Sequence, residues 1–227
     1  SHMSAQASLE RLKMVRKLCP GAVQVILPDW LPVTMPEAID FMKGMEEAAD
    51  GIPLVLYNPP HAKVKLTPAQ WMEVKREVPS LIGVKVFDQG RDPEWYARVR
   101  EEVAGIAIFV PGHHLATGGS LGAHGAYSNV ACINPAASQR WYDMMLTDMP
   151  SALELEGRIN AFMSKFITPF ITEMGYPNHA CDRFMALVGG WADVGAKLRW
   201  PYRSIPVSAV ERVRRAARDI IPEFLAV

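Results

Sequence analysis

The stretch Leu81-Ile82-Gly83-Val84-Lys85-Val86-Phe87 decides the fold of this chain. Apart from Lys85 it is apolar, and such a run is typical of a strand buried on both faces of a parallel sheet. A lysine inside it has to lie at a strand end and face a cavity, or pair with a carboxylate. Burial would disfavour its ammonium form, lower its pKa and supply the free amine that attacks carbonyl carbons.

A second apolar run, Ile52-Pro53-Leu54-Val55-Leu56-Tyr57-Asn58-Pro59-Pro60, ends with a tyrosine just before a double proline. Two strands that each end in a side chain suited to proton or carbonyl chemistry indicate an active site at one rim of a parallel sheet. Taken singly, a strand lysine often extends its ammonium to water, and a strand-end tyrosine often packs in the core. The functional interpretation therefore rests on the two residues together.

Strand-like and helix-like segments alternate around these runs. Apolar runs predict five strands, at residues 23–28, 52–57, 81–87, 105–110 and 123–128. Helix starts are indicated between them by the capping-box form Thr67-Pro68-Ala69-Gln70 and by Asp92-Pro93 and Asn134-Pro135. This alternation predicts an α/β fold with right-handed parallel crossovers. From Ser151 onward the pattern is helical, with a break before Pro169.

Composition excludes several functional classes. The 227 residues carry 24 basic and 24 acidic side chains with no block of either sign, so the chain is not expected to bind nucleic acid or a membrane surface. No apolar run approaches the roughly 20 residues that span a bilayer. Cys19, Cys132 and Cys181 are odd in number, widely spaced and in apolar settings, which favours a reduced, cytoplasmic protein.

Several motifs for other chemistries are missing from the sequence. No Gly-rich phosphate turn follows the first strand and no Gly-x-Ser-x-Gly elbow occurs, which disfavours a nucleotide-binding open sheet and an open-sheet hydrolase. No metal-ligand spacing is found, and the adjacent His113 and His114, with His124, point apart and lack a nearby carboxylate. Core packing is expected of the helical tryptophans Trp71, Trp95 and Trp141. Five strands still fit either an open doubly wound sheet or part of an eight-stranded barrel.

Four motifs follow one another along the chain. They are Tyr57-Asn58-Pro59-Pro60, Ile82-Gly83-Val84-Lys85, Gly122-Ala123-His124-Gly125-Ala126-Tyr127-Ser128 and Leu198-Arg199-Trp200-Pro201. The set resembles the Tyr-Asn-x-Pro, Gly-[Ile/Val/Phe]-Lys, Gly-x-x-Gly-x-Ile-Ser and Leu-Arg-x-Pro segments of the dihydrodipicolinate synthase and N-acetylneuraminate lyase family of class I, Schiff-base aldolases. The spacing of 28 residues between Tyr57 and Lys85 also matches that family.

The resemblance implies a (β/α)8 TIM barrel followed by helices. Residues 1–150 would then be an incomplete barrel that begins at the third barrel helix, and residues 151–227 would be C-terminal helices. The family's first three strands carry a Thr-Thr pair in a Gly-x-Thr-Thr-Gly-Glu segment that has no counterpart here. We expect that part to exist upstream of Ser1, since half a barrel would expose an open sheet edge.

The resemblance also implies a function: a Schiff-base-forming lyase, either aldolase or dehydratase, acting on pyruvate or a related 2-oxo acid or keto-deoxy sugar acid. Lys85 would form the imine and Tyr57 would shuttle protons. Backbone groups near Tyr127 and Ser128 would hold the substrate carboxylate. No metal and no organic cofactor are implied, and the expected assembly is a homo-oligomer, a dimer or a tetramer.

Two departures from the synthase branch of the family bear on the substrate. His61-Ala62-Lys63 stands where that branch carries an arginine, so a bidentate clamp on a second carboxylate is replaced by the point charge of Lys63. Trp30 stands where that branch has a tyrosine, and tryptophan passes no hydroxyl proton. A sugar-acid or aromatic-aldehyde aldolase, or a sugar-acid dehydratase, is therefore favoured over lysine biosynthesis. The alternative is a non-catalytic barrel homologue that binds a sugar acid or acts as a scaffold.

Overall fold

A computed structural model describes residues 4–88 and 91–225 of the chain. Its strands are β1 Val23–Ile26, β2 Leu54–Asn58, β3 Leu81–Val86, β4 Ala107–Pro111 and β5 Gly125–Tyr127. They form one sheet in the order β1-β2-β3-β4-β5, and the pairs from β1 to β4 are parallel. The predicted α/β alternation and the five strands are confirmed.

Helices connect the strands and make up the last third of the chain. They are α1 Ala5–Val15, α2 Met35–Ala49, α3 Pro68–Glu77, α4 Pro93–Glu102, α5 Leu115–Leu121, α6 Pro135–Thr147, α7 Met149–Phe162, α8 Thr168–Thr172, α9 Asn178–Gly189 and α10 Val210–Ile220. A π-helical segment, Met163–Ile167, separates α7 from α8, so the predicted break before Pro169 is confirmed.

Side-chain caps fix the helix starts where the sequence predicts them. At the start of α3 the Gln70 N–H donates to the Thr67 hydroxyl over 3.4 Å, and the Thr67 N–H donates to the Gln70 side chain over 2.9 Å. Asn134 caps α6 by accepting the Ala137 N–H over 3.0 Å. Each cap satisfies backbone donors that the first helical turn leaves without a partner.

The two faces of the sheet differ in burial. Paired residues on neighbouring strands share a face, so Leu56 and its partner Val84 belong to the fully buried side. The opposite face presents Ile26, Tyr57 and Lys85, all half-buried. Within β3 the expected burial on both faces holds for Leu81, Gly83, Val84 and Val86, whereas Ile82 is exposed and Lys85 is half-buried.

A register shift explains one exposed residue of that run. Leu54 pairs with Leu81 while Val55 pairs with Gly83, so Ile82 is left outside the ladder and is 42 % exposed. An extra residue of this kind is a β-bulge, which re-aims the side chains that follow it. The bulge therefore determines to which face of the sheet each side chain in the second half of β3 points.

The chain divides into two compact units. The first comprises the residues up to Val110 together with Leu121–Ala126, and the second comprises Pro111–Ser120 and the chain from Tyr127 onward. The core of the second unit includes Phe162, Phe184 and Phe224, all fully buried. The boundary at residue 150, taken from the family resemblance, stays a prediction.

The burial of the tryptophans and cysteines tests two predictions: core packing of the helical tryptophans and apolar surroundings of the cysteines. Trp71, Trp95 and Trp141 are all buried, as predicted. Burial raises the pKa of the Cys132 and Cys181 thiols to about 11. Cys19 departs from expectation because it lies in the turn after α1 and is exposed. Among the described residues no helix is long and apolar enough to cross a membrane.

Candidate active site

Tyr57 and Lys85 are direct neighbours across the β2–β3 ladder. Each is the penultimate residue of its strand, and their Cα positions pair in register. The Lys85 Nζ lies 4.1 Å from the centroid of the Tyr57 ring. The sequence pattern predicted that these two side chains meet at the carboxyl ends of neighbouring strands, and the structure brings them together.

The contact between the Lys85 nitrogen and the Tyr57 ring describes the site without a bound substrate. A lysine ammonium over an aromatic face is attracted by the ring quadrupole, by roughly 0.5–2 kcal/mol depending on exposure, an attraction that the neutral amine lacks. The amine and the phenol ring are therefore close enough for one small molecule to contact both side chains.

Phe109 was not identified from the sequence and belongs to the same row. It pairs with Lys85 from β4, as Tyr57 does from β2 and as Ile26 pairs with Tyr57 from β1. The row is apolar except for the amine and the phenol. The sequence places Phe109 in the fourth strand. Only the register between β3 and β4 shows that this position neighbours Lys85.

Gly83 makes room for that phenylalanine. A Cβ at position 83 would lie 2.8 Å from Phe109 Cε2 and 3.2 Å from the Ala107 carbonyl oxygen. Real side chains do not tolerate such a contact, so Phe109 packs directly over the glycine two residues before Lys85. The close packing of Phe109 thus explains why a glycine stands in the Gly-Val-Lys motif of this chain.

The loop after β2 is fixed by side-chain hydrogen bonds. The Asn58 amide bridges to the backbone of Leu66, donating over 2.9 Å and accepting over 3.0 Å. Lys63 donates its Nζ to the Trp30 carbonyl over 2.6 Å, and its backbone N–H bonds the Asp29 carboxylate over 2.8 Å. The sequence suggested that the charge of Lys63 faces a second substrate carboxylate. In the structure Lys63 also joins this loop to the loop after β1.

The predicted substrate-binding residues Tyr127 and Ser128 lie in the second unit. Tyr127 ends β5 and is 43 % exposed, and its partial burial raises the pKa of its hydroxyl. The Ser128 hydroxyl accepts the Ala131 N–H over 3.2 Å, which stabilises the turn that follows. A Cβ at Gly112 would clash with that hydroxyl oxygen, so Gly112 permits a close approach of the two segments.

The histidines are engaged in structural contacts. His124 Nδ1 accepts the Ile108 N–H over 3.1 Å, and His113 Nδ1 lies 3.2 Å from the Asn129 side-chain oxygen. Across residues 4–88 and 91–225 no group of three or more His, Cys, Asp and Glu side chains is arranged to hold a metal ion.

Comparison with known proteins decides the family. The sequence profile of the dihydrodipicolinate synthetase family matches residues 4–215. The chain belongs to this family. No curated protein sequence matches it.

Solved structures agree with this assignment. An N-acetylneuraminate lyase from Fusobacterium nucleatum is 18 % identical with a TM-score of 0.77, and the match covers 96 % of this chain and 72 % of that one. A sialic acid aldolase from Ruminococcus gnavus, in a catalytic lysine mutant form, is 20 % identical with a TM-score of 0.78 over 97 % and 71 % of the two chains.

A third relative carries a ligand. It is a prophage protein of the dihydrodipicolinic acid synthase family from E. coli K12, solved in complex with pyruvate, 16 % identical with a TM-score of 0.77 over 96 % and 72 % of the two chains. The fold expectation is confirmed: the five parallel strands and their helices are part of a TIM barrel of this family, followed by C-terminal helices. The family comprises Schiff-base aldolases and lyases.

Proposed function

We propose that this protein is a Schiff-base-forming lyase, an aldolase or dehydratase, that acts on pyruvate or a related 2-oxo acid or keto-deoxy sugar acid. The observation that carries the proposal is the Lys85 amine placed 4.1 Å from the centre of the Tyr57 ring at the ends of adjacent parallel strands. Family membership and the pyruvate-bound relative support the substrate class.

The first half of the reaction uses the amine as a nucleophile. Neutral Lys85 adds to the ketone carbon of the 2-oxo acid and gives a carbinolamine. Tyr57 donates its proton to the carbinolamine oxygen, which leaves as water while the nitrogen lone pair forms the iminium ion. The proximity of the lysine nitrogen to the Tyr57 ring supports this role, because it brings the phenol close to a carbinolamine formed on Lys85.

In the second half the iminium ion serves as an electron sink. For bond cleavage, the Tyr57 phenolate takes the proton of the substrate's C4 hydroxyl. The C3–C4 bond then breaks with its electrons moving into the iminium, which releases an aldehyde and leaves an enamine. Protonation at C3 and hydrolysis return pyruvate and the free amine. Backbone groups near Tyr127 and Ser128 hold the 2-oxo acid carboxylate in this proposal.

Borohydride trapping tests the proposal directly. Full-length protein is incubated with pyruvate and sodium borohydride, and its peptides are analysed by mass spectrometry. The reduced pyruvyl adduct is expected on Lys85, and a Lys85→Arg variant should lose both adduct and activity while keeping the positive charge. Lys65→Arg is the matched control and should keep both. An unmodified Lys85 in protein that turns over substrate rejects the mechanism.

The same experiment separates the competing function. A non-catalytic homologue that binds a sugar acid or acts as a scaffold is suggested by Trp30, which is 70 % exposed where the synthase branch has a tyrosine. Such a protein would bind a 2-oxo acid in calorimetry yet form no adduct at Lys85. Trapping at Lys85 rejects this alternative.

A further inference from the structure

Phe109 occupies the side of Lys85 to which the proposed mechanism assigns no role. Lys85 pairs with Tyr57 of β2 on one side and with Phe109 of β4 on the other. Paired residues share a face of the sheet, so Phe109 belongs to the same face as the amine and the phenol. Phe109 is only half-buried there, and a molecule bound to Lys85 therefore has an aromatic ring beside it.

The ring of Phe109 is wedged between two glycines of the flanking strands. A Cβ added at Gly83 of β3 would lie 2.8 Å from Phe109 Cε2, and a Cβ added at Gly125 of β5 would lie 3.3 Å from Cδ1 and Cε1. The two contacts involve opposite edges of the ring, so one edge faces each neighbouring strand. A ring packed this closely on both sides has no free space to move into, and it forms a fixed wall next to the amine.

The two sides of Lys85 differ in the chemistry they offer a substrate. In the proposed mechanism Tyr57 exchanges protons with the carbinolamine oxygen and with the C4 hydroxyl, so these oxygen atoms face β2. Phe109 offers no hydrogen bond, and burial of a hydroxyl or a carboxylate against it would cost free energy. The part of the substrate that suits this side is the C–H edge of C3, which needs no hydrogen-bond partner.

We infer that Phe109 determines specificity by restricting Lys85 to 2-oxo acids whose C3 carbon carries no branch. The inference rests on the proposed function and narrows its substrate class. A single substituent on C3 extends away from the phenyl ring, as the C4 carbon of an aldol substrate does. A second substituent on the same carbon meets the fixed ring.

Three 2-oxo acids of increasing bulk test this wall. Pyruvate has a methyl group at C3, 2-oxobutanoate has one carbon substituent there, and 3-methyl-2-oxobutanoate has two. Each acid is incubated below saturation with the full-length protein and sodium borohydride, and the rate of adduct formation at Lys85 is measured by mass spectrometry. The measured quantity is the rate for 3-methyl-2-oxobutanoate divided by the rate for 2-oxobutanoate, and the wild-type protein is expected to give a low value.

Substitution of the ring separates the wall from the reactivity of the ketone itself. Phe109→Leu and Phe109→Ala should raise this ratio by about ten-fold, a usual effect of one methylene group on specificity. The lower intrinsic reactivity of the branched ketone is the same with every variant and cancels in the comparison, as does any loss of folded protein. Phe41→Leu on α2 is the matched control, because it makes the same change outside the sheet, and it should keep the wild-type ratio.

The adducts distinguish failure of the inference from failure of the proposed function. A ratio that stays at the wild-type value in both Phe109 variants, while pyruvate is still trapped at Lys85, overturns the inference and leaves the lyase proposal intact. A rise of the same size in Phe41→Leu also overturns it, because the effect would not come from the wall. Absence of every adduct at Lys85 in the wild-type protein rejects the lyase proposal and the inference together.

Discussion

Tyr57 has two separable roles at the scale of single residues. Its ring face holds the Lys85 nitrogen at 4.1 Å, and its hydroxyl is the proposed proton carrier. A phenylalanine preserves the ring and removes only the hydroxyl. Substitution therefore distinguishes the positioning of the amine from the transfer of protons.

We predict that Tyr57→Phe lowers kcat by about 10²–10⁴-fold, the usual contribution of a positioned acid or base. The pyruvate adduct at Lys85 should still form, more slowly, because the amine keeps its place over the ring. Steady-state kinetics with a pyruvate-releasing substrate and borohydride trapping measure the two effects. The control is Tyr142→Phe on α6, and full activity in Tyr57→Phe would remove Tyr57 from the mechanism.

At the scale of secondary-structure elements, β3 and β4 approach so closely that one residue has to lack a side chain. Gly83 accommodates Phe109, whose ring atom Cε2 would lie 2.8 Å from an added Cβ. The contact joins the strand that carries Lys85 to its neighbour. Its loss would change the position of the amine as well as the stability of the sheet.

Gly83→Ala is predicted to lower the free energy of unfolding by about 1–3 kcal/mol through overpacking. Combination with Phe109→Leu should restore at least half of that loss, since the smaller side chain vacates the space. Urea unfolding measures both. Gly157→Ala in α7 is the control, as nothing lies within 4 Å of its added Cβ. An unchanged midpoint for Gly83→Ala would contradict the contact.

At the scale of the whole molecule, an ion pair within the second unit joins Glu223, near the end of the described residues, to helix α7. Arg158 on α7 donates Nη2 and Nη1 to the two carboxylate oxygens of Glu223 over 2.6 and 3.0 Å. The hydrogen bond from Arg158 lowers the pKa of Glu223 below its ordinary 4.5. A depressed carboxyl pKa stabilises the fold above the ordinary value, and this stabilisation is lost as the pH falls through the folded-state pKa.

Glu223→Gln is therefore predicted to destabilise the protein at pH 7, and the difference should shrink as the pH falls through the folded-state pKa of Glu223. The measurement is the melting temperature of both proteins from pH 7 downward. Glu211→Gln serves as the control because Glu211, itself exposed, pairs with Arg214 and Arg218 on its own helix, and such surface pairs contribute little. A difference that persists unchanged at low pH would show that the effect is not electrostatic.

Local signals predicted much of this structure. The strands, the caps at Thr67 and Asn134 and the meeting of Tyr57 with Lys85 follow from short-range pattern and from the geometry of parallel sheets. The bulge at Ile82 does not, because register is set by packing between segments distant in sequence.

Long-range packing also decided the remaining features. The approach of Phe109 to Gly83 depends on the register of two strands, and the burial of the Trp71 Nε1, which has no acceptor among the described residues, depends on how α3 packs. Neither leaves a mark in local composition. The half-buried face around Lys85 was missed for the same reason, since apolar runs indicate burial without saying which face receives it.

The contact between Gly83 and Phe109 has an evolutionary consequence. A lineage that gains a side chain at position 83 loses stability unless the aromatic residue at position 109 is replaced by a smaller one. The two positions should therefore covary among homologues. A small residue at 109 would in turn open space beside the amine, so that pairs of changes at these positions would mark branches that accept bulkier substrates.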